Sequence, residues 1–109
     1  MPYDEKLAER IRTKLSSTRG LTEKKMFGGV GFLLNGNMAC GVQKQELLVR
    51  LGDADFEKAL KRAHVRVFDM GGRPMKGWIL VASQGTSTGK ALQGWIEKGL
   101  SFARSLPPK

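Results

Sequence analysis

Apolar side chains recur along this chain with two different periods, and the longer period marks helices. Leu7, Ile11 and Leu15 recur every four residues and form one apolar stripe, which is typical of an amphipathic helix packed on a core. A similar stripe with i, i+3 and i+4 spacing recurs near the carboxyl terminus, and Asp53 is a suitable N-cap for another helix. Helices are therefore predicted over residues 3–18, 54–63 and 88–105.

Between these helices, apolar and polar residues alternate with a period of two, which predicts strands with one buried face. The strongest hairpin signal is Asn35-Gly36, a two-residue turn between two alternating runs. Short turns between neighbouring strands require antiparallel pairing. Strands are predicted over residues 26–34, 38–42, 46–51, 65–68 and 78–82.

The order of these elements, α-β-β-β-α-β-β-α, predicts the fold class. We expect an α+β fold: a two-layer single domain in which helices pack on an antiparallel sheet of about five strands. The chain has 109 residues, the length of one domain, and 40% of them are hydrophobic, which is enough for a core. No apolar run is long enough to cross a membrane, and no signal peptide is recognisable. One domain is therefore expected over residues 1–109.

Two glycine-rich motifs resemble phosphate-binding loops but have the wrong context. Gly28, Gly29 and Gly31 lie within a run of predicted strands, whereas the glycines of a dinucleotide fingerprint open a helix. Glycines within strands instead indicate a bulge or the close approach of another backbone. The segment 85–90, GTSTGK, does open a helix, but it has one residue too few between its glycines, and Ala91 replaces the magnesium-binding Ser or Thr. It is predicted to cap a helix.

No group of side chains in the sequence suggests catalysis or metal binding. His64 is the only histidine, and neither a nucleophile nor a pair of carboxylates lies near it in the sequence. Cys40 is the only cysteine and falls on an apolar alternation, so we expect it in the core of a protein in a reducing cytoplasm. Trp78 and Trp95 lie on regular apolar periods, as core or interface residues do. We therefore expect no enzyme activity, no cofactor, no metal and no small-molecule substrate.

Charge is the unusual bulk feature, because 19 Lys and Arg stand against 10 Asp and Glu, a net charge of +9. Such an excess favours polyanionic partners, such as nucleic acid, acidic proteins or anionic lipid surfaces. It also improves solubility, and both interpretations stay open. A continuous basic surface would favour nucleic acid, whereas dispersed cations would favour a protein-interaction module. The candidate nucleic-acid-binding residues are Lys24, Lys25, Arg66, Arg73 and Lys76, the last two on a predicted hairpin loop.

The predicted strands carry apolar residues on both sides, which bears on assembly. We assign one set to the helix-covered face, namely Val30, Phe32, Cys40, Val49, Trp78 and Leu80. The opposite face then supplies the interface candidates, which are Phe27, Leu33, Leu48, Ile79 and Val81. A chain with only three helices does not readily cover both faces, and a large exposed apolar patch usually marks an interface. We therefore expect a homodimer with two-fold symmetry.

Four segments of the chain combine into a family pattern: YDEKLAERIR, TEKKMFGGVGFLLNGNMACGV, GGRPMKGWILV and WIEKGLSFARSLPPK. The most specific part is residues 25–38, with the run Lys-Met-Phe-Gly-Gly and the Asn-Gly hairpin. Together these segments resemble the N-terminal domain family of the Sxy/TfoX competence regulators, over essentially the whole chain. The resemblance implies a bacterial cytoplasmic protein without established catalytic residues. It also implies an α/β domain with an antiparallel sheet, similar to secretion-chaperone-like domains.

The resemblance also directs the functional expectation. The named regulators of that family promote transcription of DNA-uptake genes and carry a second, C-terminal domain, which we expect this chain to lack. The expected function is a non-enzymatic regulatory module of the TfoX N-terminal type, related to transcription through weak binding to DNA or to a DNA-bound protein. We expect it in the cytoplasm, with no membrane partner. The alternative is a protein-interaction or dimerisation module with no nucleic-acid role.

Overall fold

In the part of the chain that the structure describes, a six-stranded antiparallel sheet carries three helices on one side. The structure is a computed structural model that describes residues 3–26, 28–70 and 72–108. The helices are α1 (Glu5–Leu15), α2 (Asp53–Leu60) and α3 (Gly89–Ser105). The strands are β1 (Leu21–Met26), β2 (Gly29–Leu34), β3 (Asn37–Gln43), β4 (Glu46–Arg50), β5 (Val65–Met70) and β6 (Arg73–Val81). A short 3-10 helix, Ser83–Thr86, precedes α3.

The strands lie in the order β1-β2-β3-β4-β6-β5, and every neighbouring pair is antiparallel. The first four strands follow one another as a meander. The chain then passes through α2 to the far edge, where β5 forms and β6 returns between β5 and β4. The predicted α+β fold and its alternation of helices and strands are confirmed, with a sheet of six strands where about five were expected. Among the described residues, no helix is long and apolar enough to cross a membrane.

The additional strand is β1, which the hydrophobic pattern did not reveal. Its sequence, LTEKKM, has a polar residue at every position between its two ends. Such a composition is common on edge strands, where charged side chains prevent pairing with other chains. The hairpin loop predicted around Arg73 and Lys76 is instead largely strand, because both residues belong to the first half of β6, which pairs with β5. Pro74 lies near the start of β6, opposite Asp69.

Side chains cap the first turn of two of the three helices that the structure describes, α1 and α3. The Asp4 carboxylate accepts hydrogen bonds from the backbone N–H groups of Lys6 and Leu7, at 3.0 and 3.2 Å, and starts α1. The Thr88 hydroxyl accepts from the N–H of Ala91 at 3.0 Å and starts α3, so the predicted helix cap is confirmed. The predicted N-cap of α2, Asp53, is instead its first helical residue, because the cap position belongs to the preceding glycine.

All three helices pack on one side of the sheet, here called the inner face. Leu7 and Ile11 of α1, Phe56 of α2 and Trp95 and Ile96 of α3 belong to one buried cluster with the inward side chains of the strands. Burial of this cluster is the main favourable contribution to folding. The strand residues of the cluster include Val30, Phe32, Cys40, Val42, Leu47, Val49, Ile79 and Val81.

The other side of the sheet, here called the outer face, has a small apolar cluster of its own. Met38, Leu48, Phe68 and Leu80 are buried there, and Leu33, Met75 and Trp78 are half-buried around them. No helix residue belongs to this cluster within the part of the chain that the structure describes.

The predicted faces are wrong for β6. Ile79 pairs with Val49, and both side chains point inward, so Ile79 and Val81 lie in the inner core at 0% exposure. Trp78 and Leu80 therefore belong to the outer face. Every residue of the segment WILVA is apolar, so the sequence alone does not show which of its side chains point inward and which point outward. The assignments of Leu33 and Leu48 to the outer face are confirmed, and Phe27 lies outside the described residues.

Candidate functional site

The five candidate cations do not come together on one surface. Lys24 and Lys25 lie on β1, at one edge of the sheet. Arg66 lies on β5, at the opposite edge, and Arg73 and Lys76 lie on the adjacent β6. Three strands, β2, β3 and β4, separate the two groups. Further cations are spread over the helices, at Lys6, Arg10, Lys14, Lys58, Lys90, Lys98 and Arg104. The structure therefore shows dispersed cations.

Among the residues that the structure describes, Arg66 is the one candidate of the five that forms an ion pair. Its guanidinium forms an ion pair with Glu46 of β4, and the Arg66 side chain is 59% exposed. Such exposed pairs contribute little to stability, but the carboxylate neutralises part of the positive charge that was assigned to nucleic acid.

A second ion-paired arginine joins α1 to the edge strand. Arg12 contacts Glu9 on its own helix, and its Nε donates a hydrogen bond to Glu23 of β1 at 2.7 Å. The hydrogen bond from Arg12 lowers the pKa of Glu23, and the same bond raises the pKa of Arg12. Arg12 is therefore a structural link between two elements.

Lys6, Arg10 and Lys14 form a basic stripe along α1, and part of this stripe lies beside the start of α3. Arg10 donates a hydrogen bond to the backbone carbonyl of Thr86 at 2.8 Å, and a longer one, at 3.4 Å, to that of Thr88. The Lys14 ammonium lies 3.7 Å from the position that a Cβ on Gly89 would occupy. These contacts hold the segment GTSTGK against α1, so part of the stripe has a structural role.

Gly28 and Gly29, two of the three glycines within the predicted strands, have structural roles. Gly28 has φ of +76° in the connection between β1 and β2, a conformation that favours glycine. A Cβ on Gly29 would overlap the backbone carbonyl oxygen of Val42 on β3. Gly31 of β2 pairs with Gly41, which also lies on β3. The predicted close approach of another backbone is confirmed at Gly29.

The two side chains considered for catalysis have structural surroundings. Cys40 is completely buried in the inner core, and burial raises the pKa of its thiol to about 12. His64 is exposed in the connection between α2 and β5, with φ of +68°, and its carbonyl accepts from the N–H of Ala82. Across the described ranges, no three His, Cys, Asp or Glu side chains come together in a way that would hold a metal ion.

A cleft at the end of β4 brings Lys76, a candidate from the sequence, together with Arg50, which the sequence did not single out. Its volume is about 360 Å³, and it is lined by Arg50, Leu51, Asp53, Lys76, Trp78 and Phe102. We call it the Arg50 cleft. Arg50 reads in the sequence as an ordinary strand residue, and only the register, which places it opposite Trp78, shows that a cation and an aromatic ring are neighbours.

A wider groove of about 830 Å³ lies between the start of α1 and the turn that joins β3 to β4. Its lining includes the acidic residues Asp4 and Glu5 together with the basic residues Lys6 and Lys44. Charges of both signs are mixed along this groove, so it does not select a ligand of one charge.

The comparisons with known proteins identify the family. A family model described as the TfoX N-terminal domain matches residues 13–103, from the last turn of α1 to near the end of α3, with all six strands included. Comparison with curated proteins gave no match, and comparison with solved structures gave no match either. Since the matched segment spans most of the chain, the protein belongs to the TfoX N-terminal domain family.

Proposed function

We propose that this domain is a non-enzymatic regulatory module that binds an acidic protein surface. Membership of the TfoX N-terminal domain family supports a regulatory module. The observation that carries the choice of partner is the dispersal of unneutralised cations. The sequence holds 19 Lys and Arg, and among those that the structure describes only Arg12 and Arg66 form ion pairs.

Dispersed cations suit a protein partner better than a nucleic-acid duplex. A duplex presents phosphates in a regular line and is bound by a continuous row of cations. A folded acidic protein presents carboxylates at irregular positions, and complementary charge on the two surfaces mainly raises the rate and the specificity of association. Separate groups of cations at the two edges of the sheet match the second arrangement.

The proposal of a non-enzymatic role is supported by the state of the one cysteine of the chain. With a pKa of about 12, the Cys40 thiol stays protonated at neutral pH, and its burial keeps it away from any substrate. A reducing cytoplasm, in which a free thiol persists, belongs to the same proposal.

A labelled random copolymer of glutamate and tyrosine tests the choice of partner against labelled duplex DNA. We expect fluorescence anisotropy to show binding of the copolymer at low salt, and this binding should persist to higher salt than binding of DNA. Salt weakens phosphate contacts steeply through counterion release, whereas contacts to tyrosine rings are not screened. Absence of copolymer binding at low salt would overturn the proposal.

Weak DNA binding is the second candidate function, and the net charge of +9 favours it. In this case the domain binds duplex DNA with little sequence preference, and its affinity falls steeply with salt. Combined charge reversal at Lys24, Lys25, Arg66, Arg73 and Lys76 should then reduce the affinity strongly. If DNA does not bind at low salt, this candidate is eliminated, and if DNA stays bound at higher salt than the copolymer, it replaces the first proposal.

A further inference from the structure

Arg50 is held in place by two aromatic rings. It is the last residue of β4 and pairs with Trp78 of β6 across the sheet. Its Cζ atom lies 5.1 Å from the centroid of the Trp78 ring and 5.2 Å from the centroid of the Phe102 ring on α3. Both distances are within the range of cation–π contact. The guanidinium is therefore fixed before any ligand binds, which lowers the entropic cost of using it.

The same guanidinium has no acceptor within the described part of the chain. Arg50 is half-buried, yet among the described residues its side chain forms neither a hydrogen bond nor an ion pair. In contrast, Arg10 and Arg12 donate to carbonyl or carboxylate oxygens. A guanidinium has five N–H donors and no acceptor capacity. Its donors are thus available to a ligand in the Arg50 cleft.

The size of the cleft limits what it can hold. A volume of about 360 Å³ accommodates a side chain or two and not a folded surface. The Phe102 ring lies beside Gly52, where a Cβ would be in ordinary van der Waals contact with it, at 3.4 Å. Leu51, Trp78 and Phe102 therefore provide apolar surface next to the guanidinium.

The charges of the cleft favour an anion. Lys76 adds a second positive side chain on β6, and Asp53 adds one negative side chain at the start of α2. Arg50 and Lys76 carry two positive charges and Asp53 carries one negative charge, so the net charge of the cleft lining is positive. A carboxylate matches the planar fork of an arginine in a bidentate arrangement.

We propose that the Arg50 cleft binds a short segment of a partner protein in which a Glu or Asp lies next to an aromatic residue. The carboxylate accepts from the Arg50 guanidinium, Lys76 contributes charge at the rim, and the aromatic side chain packs on the apolar wall. This proposal rests on the proposed function, and it names the point of the domain at which the acidic partner is anchored.

A capped peptide with Glu-Phe-Glu between Gly-Ser flanks, compared with a matching Gln-Phe-Gln peptide, tests this proposal by NMR titration. The chain has two tryptophans, so the indole N–H signals of Trp78 and Trp95 serve as reporter and internal reference. We expect the acidic peptide to shift the Trp78 signal and leave that of Trp95 unchanged, and we expect the neutral peptide to bind at least about tenfold more weakly.

The variant Arg50→Gln should weaken binding of the acidic peptide by about tenfold or more. Arg62→Gln is the matched control, because this substitution removes the same charge outside the cleft. Arg62 also lies over an aromatic ring, with its Cζ atom 4.2 Å from the centroid of the Trp95 ring. Lys76→Gln, at an exposed rim position, should weaken binding several-fold and keeps the test valid if Arg50→Gln does not fold. Asp53→Asn should strengthen binding.

The outcomes separate this inference from the proposed function. If the glutamate–tyrosine copolymer binds but Arg50→Gln and Arg62→Gln weaken binding of the peptide equally, the cleft is not the anchoring site. The proposal of an acidic protein partner is then retained. If inorganic phosphate shifts the Trp78 signal and the acidic peptide does not, the assignment of a carboxylate ligand is overturned. If neither the copolymer nor the peptide binds, both proposals are wrong.

Discussion

At the residue scale, Gly29 shows how one missing side chain determines the approach of two strands. A Cβ at this position would overlap the Val42 carbonyl oxygen, and backbone atoms in the middle of a sheet cannot move away cheaply. We expect Gly29→Ala to lower the free energy of unfolding by about 1–3 kcal/mol. Gly94→Ala is the same substitution on an exposed position of α3 with open space around it, and it should raise stability by about 0.5–1 kcal/mol.

Chemical denaturation of the two variants without any ligand measures this difference. If Gly29→Ala were as stable as the unmodified protein, the close approach would not constrain the sheet, and a role for these glycines in binding a ligand would have to be considered again.

Cys40 leads to a second prediction at the residue scale. Because burial raises the pKa of its thiol to about 12, the reactive thiolate is almost absent at neutral pH. Iodoacetamide should therefore leave the folded protein unmodified and should alkylate it fully after denaturation, as measured by mass spectrometry. Rapid alkylation of the folded protein would show that the inner core opens around β3.

At the element scale, helices and strands that bury one face could be predicted from the hydrophobic pattern, whereas a strand that buries neither face could not. Helix α3 has one buried stripe, including Trp95 and Ile96, and its period identified it correctly. Strand β1 buries little, because Thr22, Glu23, Lys24 and Lys25 are exposed, so it left no hydrophobic signal.

Strand β6 shows the opposite difficulty and also hid the Arg50 cleft. It is apolar on both faces, so the inward and outward residues could not be distinguished without the register. The cleft depends on three separate parts of the chain, at Arg50, Trp78 and Phe102, that only the register and the packing of α3 bring together. The cations were visible in the sequence, but their separation by three strands was not.

The contact between α1 and β1 predicts a pH dependence at the element scale. Arg12 lowers the pKa of Glu23 in the folded protein below its ordinary value of 4.5. The pair therefore contributes stability above that ordinary value, and this contribution is lost as the pH falls through the lowered, folded-state pKa. The contribution should be small, about 0.2–1 kcal/mol, because the pair is partly exposed.

Glu23→Gln should accordingly lower the melting temperature at neutral pH and leave it nearly unchanged in acid. Glu57→Gln makes the same chemical change on an exposed face of α2, and it should have a smaller effect at neutral pH. A loss of stability with Glu23→Gln that is equal at neutral and acidic pH would contradict the role of this ion pair.

At the scale of the whole molecule, self-association and binding of an acidic partner should respond to salt in opposite ways. Two copies with a net charge of +9 each repel one another, and salt screens this repulsion. Binding of an anionic partner loses affinity as salt rises, whereas a homodimer held by apolar contacts should gain affinity. The sign of the salt dependence therefore distinguishes the two kinds of assembly.

The expected homodimer would use the outer face. Ile79 and Val81 do not belong to this face, because they lie in the inner core. Leu48 and Leu80 are buried within a single chain, so the accessible apolar surface there comes from Leu33, Met75 and Trp78. We expect light scattering to show a dimer fraction that increases with salt, and we expect Leu33→Lys combined with Met75→Lys to abolish it. Leu60→Lys changes an apolar residue of α2 that is 36% exposed away from this face, and it should leave the dimer intact. A protein that remains monomeric at high micromolar concentration and at every salt concentration would refute the homodimer, and the outer cluster would then be a self-contained second core.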